Sequence, residues 1–194
     1  MRKYIITACL AMGALSFTAC NSGSGDQQTD GTTTTGQPVV AADADSTLSD
    51  QKREFMGYAY KSGMKLEELG KLAAEKGTSE EVRNHGRQLV DLYGPKQEQL
   101  RQMAQEYRVQ LPQSMDQEQM DIVSELRDTP NQEFNQKYWE DIVDVYEDTI
   151  GEFDSKIGDY EETENVTFNV WARNTRKEMQ AQMENAMRFR LSNR

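Results

Sequence analysis

Apolar residues recur at every third or fourth position through most of the chain after residue 49, a spacing that predicts amphipathic α-helices. The first helix is predicted to begin after Ser49 or Asp50, because either residue can cap a helix, and to end at Gly77. Its apolar stripe consists of Phe55, Ala59, Leu66, Leu69 and Ala73.

A second helix is predicted to follow Thr78 or Ser79. Gly94-Pro95 interrupts its apolar stripe, and we expect a kink or a break there because proline removes a backbone hydrogen bond. The stripe consists of Val82, His85, Gly86, Leu89, Tyr93, Leu100, Met103 and Tyr107.

Two further long helices and one short helix are predicted downstream. The short helix lies around 117–126, a third long helix follows Pro130, and a fourth follows Thr163. The third stripe consists of Phe134, Tyr138, Ile142, Val145, Ile150, Phe153 and Ile157, and the fourth of Phe168, Trp171, Thr175, Met179, Met183 and Ala186. No alternating run rich in Val, Ile or Thr predicts a strand. We therefore predict an all-α four-helix bundle with a kinked second helix and a short extra helix in the 108–130 connection, which is long enough for a crossover.

The N-terminal segment has the layout of a bacterial lipoprotein signal peptide. Arg2 and Lys3 precede an apolar run over 4–19, which is shorter than the roughly 20 apolar residues of a membrane-spanning helix. Ala19 then precedes Cys20. We predict that residues 1–19 are removed and that Cys20 carries the lipid; a retained membrane anchor is the alternative.

Residues 20–48 are predicted to form a lipidated cysteine followed by a flexible tether rich in Ser, Gly and Thr, and residues 49–194 the bundle domain. The tether would span about 30 Å as a random coil. Asn21 is not the aspartate that retains some lipoproteins at the inner membrane. This favours a lipid-anchored protein of the bacterial cell envelope at the outer membrane, with the periplasmic and exterior faces both open.

Cysteine content and charge exclude several kinds of site. Cys9 would leave with the signal, so no free thiol remains for a disulfide, a thiol nucleophile or a cysteine metal site. The mature chain would carry 20 basic and 33 acidic residues, a net charge of −13, which repels nucleic acid and anionic lipid. Such a surface can attract cations or a basic partner, although solubility alone also explains it.

Several motifs resemble the bacterial domain-of-unknown-function family 4142, whose domain is a ferritin-like bundle. The resemblance spans about residues 53–190. The matching residues are Phe55, Ser62-Gly63-Met64, the run Leu69–Lys76, Val82, Leu100, Ala104, Leu111-Pro112 and Phe134-Asn135 with Tyr138.

Members of this family carry an acidic residue after the Gly-Met pair, an Asp-His pair in the second helix, and single histidines in the third and fourth helices. In such bundles inward-facing Glu and His hold metals. The corresponding positions here are Leu66, Leu92, Tyr93, Tyr146 and approximately Gln182. The resemblance therefore implies an altered family site. We expect Tyr93 and Tyr146 to face each other and to fill that space.

The remaining candidates for metal binding are weak. His85 is the single histidine and lies on the core stripe, and no Glu-x-x-His pair is present, so we expect a buried histidine rather than a ligand. Asp141, Asp144 and Asp148 share one helix face and can at most bind a divalent cation weakly; a solvated face is the simpler interpretation. The i, i+4 methionine row, Met179, Met183 and Met187, could suit Cu(I), but core packing is the default interpretation.

These observations predict a non-enzymatic binding or structural role in the cell envelope, without a cofactor, and with an envelope protein of unknown identity as partner. A metal-binding or stress-related ferritin-like protein is the alternative. An adaptor whose acidic faces bind a basic partner or a divalent cation is a third hypothesis.

Overall fold

The computed structural model describes residues 48–158 and 167–192. These ranges contain no strand and form five helices: α1 (Asp50–Lys76), α2 (Glu80–Glu106), α3 (Gln117–Asp128), α4 (Asn131–Ile157) and α5 (Thr167–Ser192). The predicted all-α helical bundle is confirmed, including the short extra helix in the connection. Cys20 and the signal and tether predicted before residue 48 lie outside the described residues.

Polar side chains before the first turns fix where three of the helices begin. The hydroxyl of Ser49 accepts a hydrogen bond from the backbone N–H of Lys52 at 3.4 Å, and that of Ser79 accepts one from Val82 at 3.2 Å. Asp116 forms a reciprocal capping box with the third residue of α3. Ser49 and Ser79 are therefore the caps among the alternatives that the sequence left open.

The second helix continues through its proline. Pro95 lies inside α2, so the alternative of a break at this position is wrong, whereas the bend itself stays a prediction. The ring of a proline normally clashes with the Cβ of the residue before it, which disfavours a helical conformation there. Gly94 has no Cβ, and this removes one of the two obstacles to a continuous helix.

Two contacts between α2 and α4 establish the topology. His85 meets Tyr138 and Tyr93 meets Tyr146, and both pairs are 53 residues apart, a constant offset that only parallel helices give. Residues 108–130 therefore carry the chain back along the length of the bundle, as a crossover. With α1 antiparallel to α2 and α4 antiparallel to α5, the helix directions run up, down, down, up, as in ferritin-like bundles.

Two glycines let α1 and α2 approach each other closely. A Cβ on Gly86 would lie 2.5 Å from the carbonyl oxygen of Gly70 and 2.5 Å from the amide nitrogen of Ala74. A Cβ on Gly70 would lie 2.7 Å from the Cβ of Leu89. Backbone atoms thus occupy the space that side chains would need, and the α1–α2 hairpin packs at a distance that larger residues do not allow.

The core occupies the space between the four long helices. Every residue of the stripes predicted for α1 and α2 is buried. On α4 the buried surface is wider than one stripe and also includes Trp139, Val143, Tyr146 and Thr149, because α4 contacts α1, α3 and α5. Leu48, at the end of the predicted tether, is also buried in this core.

Candidate functional site

Tyr93 and Tyr146, which the resemblance assigns to family-site positions, meet in the middle of the bundle. The hydroxyl of Tyr93 lies 3.4 Å from that of Tyr146, and the two side chains are 2 % and 0 % exposed. The expectation that they face each other inside the bundle is confirmed. Burial raises the pKa of both phenols above the usual value of 10, so both are neutral at physiological pH.

The other three residues that the resemblance assigns to this site do not all lie beside the tyrosine pair. Leu66 is fully buried and lines the same small cavity as Tyr93. Leu92 is only partly buried, and Gln182 on α5 is half-buried with its Oε1 lacking a hydrogen-bond partner among the described residues. Neither residue lines the cavity.

The cavity between α1, α2, α4 and α5 is nearly filled by side chains. Its volume is about 10 Å³, close to the minimum that one water molecule needs. Its polar lining comes from Ser62, Tyr93, Lys96, Gln97 and Thr175, and Gln97 donates to the carboxylate of Glu67 at 2.5 Å. The space that a metal centre would need is occupied by the phenols and by Leu66.

His85 forms a second polar pair, which the sequence did not suggest. Its Nδ1 lies 2.5 Å from the hydroxyl of Tyr138, and its ring packs at 4.9 Å from that of Trp139. The histidine is 2 % exposed, and burial lowers its pKa to about 4, so it is neutral at physiological pH. The predicted burial is confirmed, but Nε2 has no hydrogen-bond partner in the described residues.

Lys65 on α1 is a buried cation that sequence reasoning missed. Its side chain is 7 % exposed, and burial lowers its pKa, which opposes the effect of the carboxylates of Asp148, Asp116 and Glu118. The position could have been suspected because Lys65 lies beside Leu66, at the edge of the apolar stripe of α1.

The aspartates of α4 have different surroundings and do not converge on one ligand site. Asp141 forms an ion pair with Lys137 on the same helix, and Asp144 lies 3.8 Å from Arg190 on α5. Asp148 is exposed. Burial raises the pKa of Asp141, which Lys137 partly offsets. A shared cation site would need these oxygens to converge, and their partners hold them apart.

No group of three or more His, Cys, Asp or Glu side chains suited to a metal ion occurs within residues 48–158 and 167–192. The methionine row is divided between Met179, which is buried and lines the cavity, and Met183 and Met187, which pack against the edge of the core. Borderline metals need imidazole or several converging carboxylates. The donor set of the described bundle therefore does not fit a ferritin-type metal centre.

A helix that spans a membrane needs about 20 predominantly apolar residues. None of the five described helices is both long enough and apolar enough to cross a bilayer. Cys20, the predicted lipidation site, lies outside the described residues.

A comparison with protein-family models gives one match. The model described as "Domain of unknown function (DUF4142)" covers residues 37–189, most of the chain, and begins within the predicted tether. No curated protein and no solved structure is significantly similar to the chain.

Proposed function

Because the chain belongs to the DUF4142 family of helical domains, we propose that it is a lipid-anchored protein of the bacterial cell envelope in which a ferritin-like bundle has a binding or structural role and no enzymatic one. The observation that carries this proposal is that side chains without imidazole or carboxylate groups pack the middle of the bundle, at the positions where the resemblance implies ligands. Tyr93, Tyr146 and Leu66 fill the space between the helices.

The chemistry of the remaining donors supports this proposal over the metal-binding alternative. The nitrogen Nδ1 of His85 is engaged by Tyr138, and Trp139 covers the ring. The carboxylate of Glu67 is held by Gln97 and Lys71. A metal bound by His85 or by Glu67 would have to displace these contacts, and the chain has no second histidine to offer.

The exposed acidic residues of the bundle favour a basic protein as the partner. Neighbouring helices α3 and α4 both carry exposed acids, and opposite charges across an interface speed association and select the partner. The exposed acids are Asp121, Glu125 and Asp128 on α3 and Asp144, Glu147 and Asp148 on α4. We propose that this acidic surface binds a basic envelope protein and has no affinity for nucleic acid.

Anchoring through Cys20 would hold the bundle at the membrane, with the outer membrane favoured by Asn21. The test is expression of the full chain in a bacterium with two membranes, followed by membrane fractionation and mass spectrometry of the N-terminal peptide. We expect an acylated Cys20 in the outer-membrane fraction. Unacylated chain released from the membranes, with wild type and Cys20→Ser behaving alike, would overturn the anchor.

The binding role is tested by cross-linking in intact cells. We expect Asp144→Lys with Asp148→Lys to abolish the cross-linked species, and raised salt to weaken it. Glu106→Lys, at an exposed position on α2, is the matched control and should leave it intact.

Elemental analysis of the full chain, purified without chelators from cells supplied with Fe, Mn, Zn and Cu, tests the alternative. Near-stoichiometric metal that is lost in His85→Gln would overturn the non-metal interpretation. Background metal in both proteins is the expected result.

A further inference from the structure

The contact between His85 and Tyr138 has a definite hydrogen-bond direction. The two atoms are 2.5 Å apart, and no other hydrogen-bond partner of the phenol is present in the described residues. If Nδ1 carried the proton, both the phenolic proton and the lone pair of Nε2 would lack a partner in a buried site, whereas a proton on Nε2 leaves only that N–H unpaired and costs less free energy. Tyr138 therefore donates to an unprotonated Nδ1, and the imidazole proton is on Nε2.

This arrangement provides a proton acceptor for a tyrosine that loses an electron. A phenol becomes a strong acid once it is oxidised, and oxidation is much easier when the proton can leave at the same moment. His85 is neutral and already in contact with the phenolic hydrogen, so the transfer needs no rearrangement.

We propose that Tyr138 and His85 form a redox-active pair that donates one electron to diffusible one-electron oxidants, the class that includes the nitrogen dioxide and carbonate radicals. The electron passes from the phenol to the oxidant, and the proton moves from Oη of Tyr138 to Nδ1 of His85. The products are a neutral tyrosyl radical, an imidazolium and the reduced oxidant. A one-electron donor such as a thiolate reverses both transfers. This activity goes beyond the binding role proposed above.

Aromatic rings connect the buried pair to the surface. The ring of Tyr138 lies 5.1 Å from that of Trp139, which stacks at 4.9 Å on Phe189 of α5. Phe189 is only partly buried. An oxidant at the surface of α5 can thus take an electron from Trp139, and the oxidised indole is then reduced by Tyr138 as the phenolic proton moves to His85, without the oxidant entering the core.

The other buried tyrosines lack the feature that makes Tyr138 suitable. Tyr93 and Tyr146 face only each other's hydroxyls, at 3.4 Å, and a phenol is a poor proton acceptor. Tyr107 is buried without a base beside it among the described residues. The hydrophobic core around Tyr138, which is 0 % exposed, also shields a radical from water and from coupling to a second chain.

The experiment is laser flash-quench oxidation of the full chain with photogenerated ruthenium(III) tris(bipyridine), a cation that the net charge of −11 attracts. Transient absorption measures the rate of tyrosyl radical formation, and high-field electron paramagnetic resonance of frozen samples measures its hydrogen bonding. We expect one dominant radical whose spectrum shows a strong hydrogen bond, and slower formation in D₂O.

Variants locate the radical. Tyr138→Phe should remove the dominant signal, and Tyr107→Phe, at another buried tyrosine, should keep it. His85→Gln retains a hydrogen-bonding side chain but no base, so radical formation should slow by about 100-fold, as for loss of a positioned proton acceptor. Circular dichroism before each flash verifies that every variant is folded.

The wild-type chain alone can overturn the proposal, whatever the variants do. A radical without a hydrogen bond, a rate that is the same in D₂O, or no tyrosyl radical at all would each contradict it. A hydrogen-bonded signal that survives Tyr138→Phe would also overturn it, because the radical would then belong to another tyrosine.

Discussion

Substituting Gly86 by alanine tests the close approach of α1 and α2. The added Cβ would lie 2.5 Å from Gly70 O, 2.5 Å from Ala74 N and 2.8 Å from the Cβ of Ala73. Two of these neighbours are backbone atoms that cannot move away by changing a rotamer. The two helices must separate, and this loosens the packing of the apolar residues on either side.

Two effects of opposite sign determine the magnitude. Alanine favours a helix over glycine by about 1 kcal/mol, whereas overpacking a well-packed core costs about 1–3 kcal/mol and occasionally more. Because the clash is with backbone, we expect the upper part of that range, and a free energy of unfolding about 2 kcal/mol lower for Gly86→Ala. Gly70→Ala should behave in the same way, since its Cβ would lie 2.8 Å from Gly86 O.

Gly151 offers a matched control. It is exposed inside α4, and a Cβ there would meet no heavy atom within 4 Å. Gly151→Ala should therefore raise the free energy of unfolding by up to about 1 kcal/mol through helix propensity alone. Gly94 is less suitable as a control, because a Cβ before Pro95 introduces a clash of its own.

The assay is equilibrium urea unfolding monitored by circular dichroism, in a Cys20→Ser background so that no acyl chain enters the comparison. Midpoints are compared at unchanged slope, because a changed slope indicates an altered denatured state. If Gly86→Ala proved as stable as Gly151→Ala, the close approach of α1 and α2 would be refuted.

Three further predictions concern buried polar groups, all measured by urea unfolding. Burial lowers the pKa of His85 from 6.5 to about 4, so the unfolded state takes up the proton first as pH falls. Between pH 6.5 and pH 4 the free energy of unfolding of the wild type should therefore fall by about 3 kcal/mol more than that of His85→Leu. Equal losses in the two proteins would contradict this prediction. Lys65→Met should raise stability by about 1 kcal/mol by removing a buried charge, whereas Lys71→Met, at an exposed position, should change it by less than about 0.5 kcal/mol. Tyr93→Phe and Tyr146→Phe should each cost about 1 kcal/mol, and the double variant should cost less than their sum; strict additivity would show that the hydroxyls do not interact.

The sequence predicted the elements of this fold well because helix signals are local. The caps at Ser49 and Ser79 and the stripe of α2 need only the neighbouring residues to be recognised. The kink or break at Gly94-Pro95 was predicted from the effect of proline alone; the helix continues through this position, and the missing Cβ of the preceding glycine removes part of that effect.

Long-range contacts were harder to predict. Tyr93 and Tyr146 could be paired because a family resemblance placed them at one site, whereas His85 and Tyr138 had no such guide. The first pair nevertheless points to the second: if Tyr93 and Tyr146 meet across parallel helices, the same separation of 53 residues pairs His85 with Tyr138. The breadth of the buried surface on α4 depends on how many helices surround it, which no single stripe reveals.

In the up, down, down, up order, the first and the last of the described helices run in the same direction. Asp50 begins α1 and Ser192 ends α5, so the two residues lie at opposite ends of the bundle. With 27 residues in α1 and a rise of about 1.5 Å per residue, these ends are about 40 Å apart. If Cys20 carries the proposed lipid, a fluorophore placed after Ser192 would report the end of the bundle that lies far from the start of α1, and its distance from a bilayer would measure how upright the bundle stands.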